Sequence, residues 1–83
     1  MQGSGYIYFW RTGGVSGRIR ACEGDFAGLN VDFFPDDCSA AIQAILANTN
    51  ISRPRECPPP AGALLVQFTF GVRNGLFVAQ NVR

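Results

Sequence analysis

The sequence predicts a small α+β domain, in which an antiparallel sheet of roughly three to five strands carries one main α-helix on one face. Two patterns support this fold class. Apolar residues from Cys38 to Leu46 recur at the i, i+3, i+4, i+7 and i+8 spacing of one helix stripe. From Leu64 to Val72, large apolar side chains occupy every second position, the period of a half-buried strand. A helix packed on a sheet would bury both patterns, in the order β-β-(β)-α-β-β.

The first half of the chain predicts a β-hairpin. Tyr6 to Arg11 is aromatic and β-branched, which favours a strand. Thr12 to Gly14 ends in two glycines that supply the positive φ of a tight turn, and Val15 to Cys22 returns as the second strand. Leu29 to Phe33 alternates well enough to predict a short additional strand.

Pro35 and two aspartates mark the start of the predicted helix. Asp36 and Asp37 can accept hydrogen bonds from unpaired amides, and they place negative charge at the positive end of the helix dipole. Asparagines after Ala47 favour termination, and Pro54 forbids continuation. We therefore predict a helix from Asp36 to Ala47.

The segment after the helix predicts a second hairpin. Ile51 to Pro60 is a proline-rich connection, extended because residues before proline avoid the helical region. It leads into the principal strand, Ala63 to Val72. Asn74-Gly75 then predicts a type I′ turn, so that Leu76 to Val82 pairs back along the principal strand.

The length of 83 residues, with 47% hydrophobic residues, predicts one small domain spanning the chain, 1–83. Residues 1–5 are either native or a disordered tag. No stretch reaches the roughly 20 apolar residues of a membrane span, and the N-terminus lacks the pattern of a signal peptide. We expect no direct membrane span in this chain.

The net charge of +1, with arginines spread along the chain, predicts no electrostatic footprint for nucleic acid. The segment Leu76 to Asn81 is loosely similar to an aromatic motif of RNA-recognition domains, and Tyr8, Phe68 and Phe70 could stack on bases. Its position in the chain and the near-neutral charge favour a core strand instead. We therefore expect no nucleic-acid partner.

The residue types argue against an enzyme. Histidine is absent, which removes the usual general base and the commonest metal ligand. The adjacent carboxylates of Asp36 and Asp37 are better explained as helix caps than as an acid–base pair. The cysteines lack Cys-x-x-Cys spacing, and the glycines at 13, 14 and 17 precede a strand rather than a helix. We expect no catalytic residue, cofactor or metal.

Three cysteines in so short a chain favour one disulfide and one free thiol, and hence an oxidising compartment. Pairing Cys22 with Cys38 would close a loop worth roughly 3 kcal/mol. In a regular second strand, the side chain of Cys22 would point to the same side as those of Arg18 and Arg20, away from the apolar residues. Pairing Cys22 with Cys38 therefore requires the strand to end or twist at Ala21. Cys38 with Cys57 is the second choice, and three free thiols are the third.

The order of elements and four motifs resemble the C-terminal domain of the TonB/TolA family, a periplasmic energy-transduction domain. Family members are similar in having a Gly-Xaa-Val turn, an alanine-rich helix with a cysteine in TolA-type domains, and a Pro-Pro-Pro-Ala-Gly-Ala sequence before a strand. The corresponding residues are Gly14-Val15-Ser16-Gly17, Asp37-Cys38-Ser39-Ala40-Ala41-Ile42, Cys57-Pro58-Pro59-Pro60-Ala61-Gly62-Ala63-Leu64 and Phe68-Thr69-Phe70-Gly71-Val72-Arg73. The resemblance covers most of the chain.

The chain departs from that family in three respects. Asp25 to Phe34 looks like an insertion, Cys22 is not where TolA-type domains place the partner cysteine, and the family's transmembrane segment and long spacer are absent. The third difference means that this chain could bind a partner but could not transmit force from an inner membrane.

The resemblance implies a non-enzymatic periplasmic module that captures a peptide of an envelope or outer-membrane protein by β-strand addition. We expect the partner-binding edge in the principal strand, at Leu64, Val66, Gln67, Phe68, Thr69 and Phe70. The alternative is that Leu76 to Val82 pairs with this edge and closes it.

A second interface is predicted if Tyr6, Tyr8 and Trp10 line an open face of the sheet, where a homodimer could form. The alternative is that another segment, such as Phe26 to Phe34, covers them. Two further functions follow: a self-associating structural module that uses these aromatic residues, and an accessory or inhibitor protein that uses the proline-rich loop, residues 51–60.

Overall fold

The structure, a computed structural model, describes all residues of the chain, 1–83. It contains six strands and one α-helix. Their bounds are β1 (Gln2–Trp10), β2 (Gly17–Gly24), β3 (Asn30–Phe33), α1 (Ala40–Leu46), β4 (Ile51–Ser52), β5 (Leu64–Arg73) and β6 (Leu76–Gln80).

Five of the strands close into a barrel in the order β1-β2-β3-β6-β5-β1, and β4 extends the ladder at the end of β1. All pairings are antiparallel except that of β3 with β6. The predicted fold class, an antiparallel sheet with a helix on one face, is therefore wrong: strands make up 48% of the chain and helix 12%. A five-stranded barrel with its helix between the third and fourth barrel strands has the connectivity of the OB-fold.

Closure depends on β1, which pairs with β2 on one side and with β5 on the other. The β1–β2 register shifts between Ser4 and Gly5, where a Cβ on Gly5 would collide with the carbonyl oxygen of Arg20. Only glycine permits this close approach of two backbones. The strand begins at Gln2, so most of the N-terminal segment that could have been a tag is part of the barrel wall.

The core fills the barrel and is entirely apolar, since no polar or charged side chain is buried. Its members are Ile7, Trp10, Ile19, Ala21, Val31, Phe33, Cys38, Ile42, Leu46, Ile51, Val66, Phe68, Phe70, Ala79 and Val82. The helix contributes Ile42 and Leu46, and Trp10 donates its indole N–H to the carbonyl of Leu46 over 2.9 Å. The helix stripe therefore packs into a barrel interior rather than onto a sheet face.

The predicted helix from Asp36 to Ala47 is broken in two. Pro35–Asp37 forms a 3-10 turn, and the α-helix begins only after Ser39, whose extended backbone and side chain cap it. The Ser39 hydroxyl accepts a hydrogen bond from the N–H of Ile42 over 3.3 Å. Ser39, and not Asp36 or Asp37, therefore marks the start of the α-helix.

Both predicted hairpins are confirmed. β1 and β2 pair across the glycine turn, and β5 and β6 pair across Asn74-Gly75, both of which have positive φ as a type I′ turn requires. The short strand predicted from Leu29 to Phe33 is also present, as β3. Local pairing was thus predicted, whereas the closure of the barrel was not.

Candidate functional site

The aromatic residues expected on an open sheet face are split between the two sides of the barrel wall. Trp10 lies in the core, whereas Tyr6 and Tyr8 are buried but lie outside the core cluster. The cause is a bulge: the β1–β2 register shifts between Ile7 and Phe9, and the extra residue reverses the side-chain alternation. The three rings therefore do not form one exposed row.

Ile51 and Ser52, the first residues of the predicted proline-rich loop, belong to β4, so we use that name for residues 53–63 from here on. This loop covers the outer side of β1. The Tyr6 hydroxyl donates to the carbonyl of Pro54 over 2.6 Å and accepts from the N–H of Glu56 over 2.7 Å. Arg53 closes the loop on itself by donating to the carbonyls of Ala61 and Gly62. This loop, rather than the segment Phe26 to Phe34, therefore covers Tyr6, the first residue of the expected aromatic row.

A disulfide between Cys22 and Cys57 fastens the same loop to β2, with 5.6 Å between the two Cα atoms. The predicted pairing of Cys22 with Cys38 is wrong, because Cys22 points outward from β2 while Cys38 is buried in the core. Alternation along β2 places Cys22 on the same side as Arg18 and Arg20, and this pattern already indicated a disulfide partner outside the core.

Cys38 is a free, buried thiol whose Sγ lies 3.6 Å from the carbonyl oxygen of Phe34. Burial, with a smaller contribution from the charge of Asp37, raises the pKa of Cys38 from 9.0 to about 11. The reactive thiolate is therefore scarce at neutral pH, so this cysteine has the properties of a structural core residue.

The strand expected to offer a binding edge, Leu64 to Phe70, lies inside β5 and is paired with β1 from Leu64 to Thr69. On its other side β6 pairs from Thr69 onward, and Arg83 exchanges two backbone hydrogen bonds with Gln67. Val66, Phe68 and Phe70 point into the core, while Leu65, Gln67 and Thr69 lie on the other face. The C-terminal segment thus closes most of the expected edge.

A different surface, on the outside of β1, β2 and β3, combines rings with cations. Phe9 lies opposite Arg18, which lies opposite Asp32, and Phe9 is 39% exposed. The Nε of Arg18 lies 3.4 Å from a carboxylate oxygen of Asp32, with both side chains nearly half exposed. One row across three strands therefore presents an aromatic ring, a guanidinium and a carboxylate to solvent.

A second ring and cation lie beside this row. Phe34 follows β3 in extended backbone, and the guanidinium of Arg73 lies 4.4 Å from the centre of its ring. Arg73 also forms a salt bridge with Asp37 over 3.3 Å. We call the surface formed by Phe9, Arg18, Arg20, Asp32, Phe34 and Arg73 the Arg18 face.

Arg20 borders the same surface and is held by the β2–β3 loop. Its guanidinium donates to the carbonyl of Gly28 over 2.6 Å and to the side chain of Asn30 over 3.2 Å. Its Nε is buried without a hydrogen-bond partner. The Arg18 face was not predicted, because regular alternation along β1 places Phe9 on the same side as the core residue Ile7; the alternating Arg18 and Arg20 were the available signal.

An apolar cluster, which we call the apolar rim, lies at one end of the barrel. Phe26 packs edge-on against Phe70 and contacts Phe77, which pairs with Val72 across the hairpin. Phe26, Val72, Leu76 and Phe77 are between 39% and 65% exposed. Contiguous exposed apolar side chains of this kind mark interaction surfaces.

The structure brings together no group of three or more His, Cys, Asp or Glu side chains that could hold a metal ion. No helix has the length and apolar character that a membrane crossing would need, in line with the expected absence of a span.

The TonB/TolA resemblance and a periplasmic location stay predictions that nothing in these data tests, although the open sheet that the resemblance implied is not the fold found. Comparisons of the chain with protein-family models, with curated proteins and with solved structures gave no significant match.

Proposed function

We propose that this domain is a non-enzymatic module that binds single-stranded nucleic acid on the Arg18 face. The observation that carries the proposal is the side-by-side arrangement of two ring and arginine pairs, Phe9 with Arg18 and Phe34 with Arg73. Single-stranded nucleic acid is bound by this combination, because bases stack on aromatic rings while cations follow the phosphates.

Phe9 provides the stacking platform. A phenylalanine on a barrel strand would normally face the core, but the bulge before Phe9 turns its ring outward beside Arg18. Stacking of one base on such a ring contributes about 1–3 kcal/mol and depends little on base identity. We therefore expect binding with weak sequence preference.

The folded chain gathers charge that is dispersed in the sequence. Arg18, Arg20 and Arg73 share this surface, with Arg11 just beyond the end of β1, while its carboxylates are Asp32 and Asp37. The surface therefore has an excess of positive charge that the net charge of +1 for the whole chain conceals. A phosphate could replace Asp32 as the partner of Arg18, at the cost of one salt bridge.

The position of this surface adds an argument by analogy. OB-fold barrels bind oligonucleotides and oligosaccharides on the face of their second and third strands and in the adjoining loops. The Arg18 face occupies the equivalent strands, β2 and β3. A fold does not determine function, so the proposal of nucleic acid as the ligand rests on the chemistry of the rings and arginines of the Arg18 face.

The test is a fluorescence-anisotropy titration of a labelled oligo-dT of about 12 nucleotides, within the site size of an OB-fold. Phe9→Ala and Arg18→Gln should each weaken binding by roughly 5- to 100-fold, the range of one stacking contact. Arg83→Gln is the matched control, an arginine on the β5 side of the barrel, and should change affinity less than about twofold. Absence of binding at low salt, or equal losses in all three variants, would refute the proposal.

The apolar rim favours a second candidate function, a protein-interaction module that uses residues other than the predicted binding edge and aromatic row. An isologous contact between two copies through Phe26, Val72 and Phe77 would remove these side chains from water. Sedimentation velocity over a wide concentration range tests this: a rise in sedimentation coefficient that Phe77→Ser abolishes supports it. A monomer at every concentration rules out self-association and leaves a different protein as the partner to be sought.

A further inference from the structure

The two ring and arginine pairs of the Arg18 face differ in whether the ring is covered. Phe9 is 39% exposed, and neither another aromatic ring nor a guanidinium stacks on it. Phe34 is part-buried, and the guanidinium carbon of Arg73 lies over its ring, 4.4 Å from the centre. A base can therefore reach the ring of Phe9 directly, whereas the guanidinium of Arg73 already covers that of Phe34.

The guanidinium of Arg73 is held in place from three directions. Its backbone lies at the end of β5 and pairs with Leu76 across the hairpin turn. Its Nη1 lies 3.3 Å from a carboxylate oxygen of Asp37, and the ring of Phe34 lies beneath it. A planar group that is already fixed in this way loses little further freedom when a ligand binds to it.

These contacts leave one face of the guanidinium open. The N–H bonds of a guanidinium lie in its plane, so Asp37 accepts at an edge of the group and not on a face. The ring of Phe34 takes one face. The side chain of Arg73 is 41% exposed, and the face turned away from Phe34 is the part that neither contact covers.

An open guanidinium face is a stacking surface for a nucleobase. Bases of single strands stack on arginine planes as well as on aromatic rings, and the positive charge adds a cation–π attraction. The ammonium group of lysine has no such plane and acts as a point charge. Stacking on an arginine therefore depends on the shape of the group, whereas a phosphate contact depends mainly on its charge.

We propose that the guanidinium of Arg73, rather than the ring of Phe34, is the second base-stacking platform of the Arg18 face. The base, Arg73 and Phe34 form three successive layers. Asp37 and Phe34 are positioning residues that hold the guanidinium without touching the base. The inference rests on the proposed nucleic-acid function, and within it assigns a base to Arg73 and a phosphate to Arg18.

The test compares two substitutions that conserve charge, in the anisotropy titration with labelled oligo-dT of about 12 nucleotides. Arg73→Lys should weaken binding at least about fivefold, the lower end of the loss of one stacking contact. Arg18→Lys is the matched control: it keeps a cation for the phosphate and should change affinity less than about twofold. Neither variant should alter the dependence of affinity on salt, because the number of phosphates neutralised is unchanged.

Phe34→Leu distinguishes the two possible platforms. It should weaken binding less than Arg73→Lys, since the salt bridge with Asp37 still holds the guanidinium. A base stacked on Phe34 itself would have to displace Arg73, so the order of the two losses would be reversed.

A measurement on the unsubstituted protein separates stacking from a structural effect of these changes. The side-chain Nε–H proton of Arg73 should move upfield when oligo-dA is added to the ¹⁵N-labelled protein, because it lies over the ring of the stacked base. A hydrogen bond from the same group to a phosphate would move this proton downfield.

The outcomes distinguish this inference from the proposed function. If oligo-dT binds and Phe9→Ala weakens binding, but Arg73→Lys and Arg18→Lys have equal effects, the inference is wrong and the proposed function stands. A larger loss for Phe34→Leu than for Arg73→Lys, or a downfield shift at Arg73, overturns it in the same way. Absence of oligo-dT binding by the unsubstituted protein would refute both.

Discussion

The Tyr6 hydroxyl accepts a hydrogen bond from the backbone N–H of Glu56 over 2.7 Å, across a sequence separation of 50 residues. It also donates to the carbonyl of Pro54. One side chain on β1 therefore satisfies two backbone groups of a loop that has little secondary structure of its own. Since this bond fixes the loop position, its removal should lower the stability of the protein.

Tyr6→Phe should lower the free energy of unfolding by about 1–3 kcal/mol, because it leaves a part-buried donor and acceptor without a partner. Urea denaturation followed by Trp10 fluorescence measures the change. Tyr8→Phe is the control, since the Tyr8 hydroxyl makes no hydrogen bond within the protein, and it should change stability by less than about 0.5 kcal/mol. Equal effects of the two substitutions would show that the hydrogen bonds of the Tyr6 hydroxyl do not stabilise the loop.

The disulfide should contribute a further increment to stability. Replacing both Cys22 and Cys57 with serine, or reducing the bond, should lower the free energy of unfolding by about 2–4 kcal/mol. Alkylation of the unfolded, unreduced protein should label Cys38 alone, and labelling after reduction should reach all three cysteines. Labelling of Cys22 or Cys57 without reduction would show that the bond is absent from the sample.

Gly5 should be the most sensitive glycine of the chain. Gly5→Ala forces a Cβ into the carbonyl of Arg20, so the β1 and β2 backbones must separate. We expect a loss of at least about 3 kcal/mol, among the larger effects of single substitutions. Gly13→Ala is the control: it has a positive φ but no atom within 4 Å of the added Cβ, and should cost about 1 kcal/mol. Thermal unfolding distinguishes the two.

The buried thiol predicts a loss of stability at alkaline pH. The pKa of Cys38 rises from 9.0 to about 11 on folding, so between these values the unfolded chain has lost a proton that the native protein retains. The stabilising effect is fully present below pH 9 and decreases by up to about 1.4 kcal/mol per pH unit above it. Cys38→Ala should remove this contribution, which denaturation at pH 8 and pH 10 would reveal. An identical decrease in both proteins would assign it to other groups.

Local signals predicted the hairpins because their information lies in adjacent residues. Asn74-Gly75 and the paired glycines at 13 and 14 each specify a turn, and the alternation in β5 specifies a strand. Barrel closure depends instead on β1 pairing with β5, more than 50 residues away, whereas Gly5 marks only the close approach of β1 to β2. A single glycine in the sequence does not indicate which strand will pack against it.

The candidate site was predictable only in part, because one additional residue changes which side chains face out. A bulge at Tyr8 moves Phe9 to the surface and Trp10 into the core, which reverses the alternation expected for β1. The alternation in β2 is intact up to Ala21, because its register shift comes only after that residue, and there Arg18, Arg20 and Cys22 occupy the alternate positions that indicated the outer side. No residue type identifies a bulge in the sequence, so regular alternation assigns side chains to the wrong face of the strand beyond it.

The most direct test of the Arg18 face is an amide chemical-shift titration of the ¹⁵N-labelled protein with oligo-dT of about 12 nucleotides at low salt. The account predicts saturable shifts centred on Phe9, Arg18 and Asp32, no change at Leu65, and weakening as salt is added because phosphate contacts release counterions. Shifts that are absent at low salt, or that map to the apolar rim instead, would contradict it.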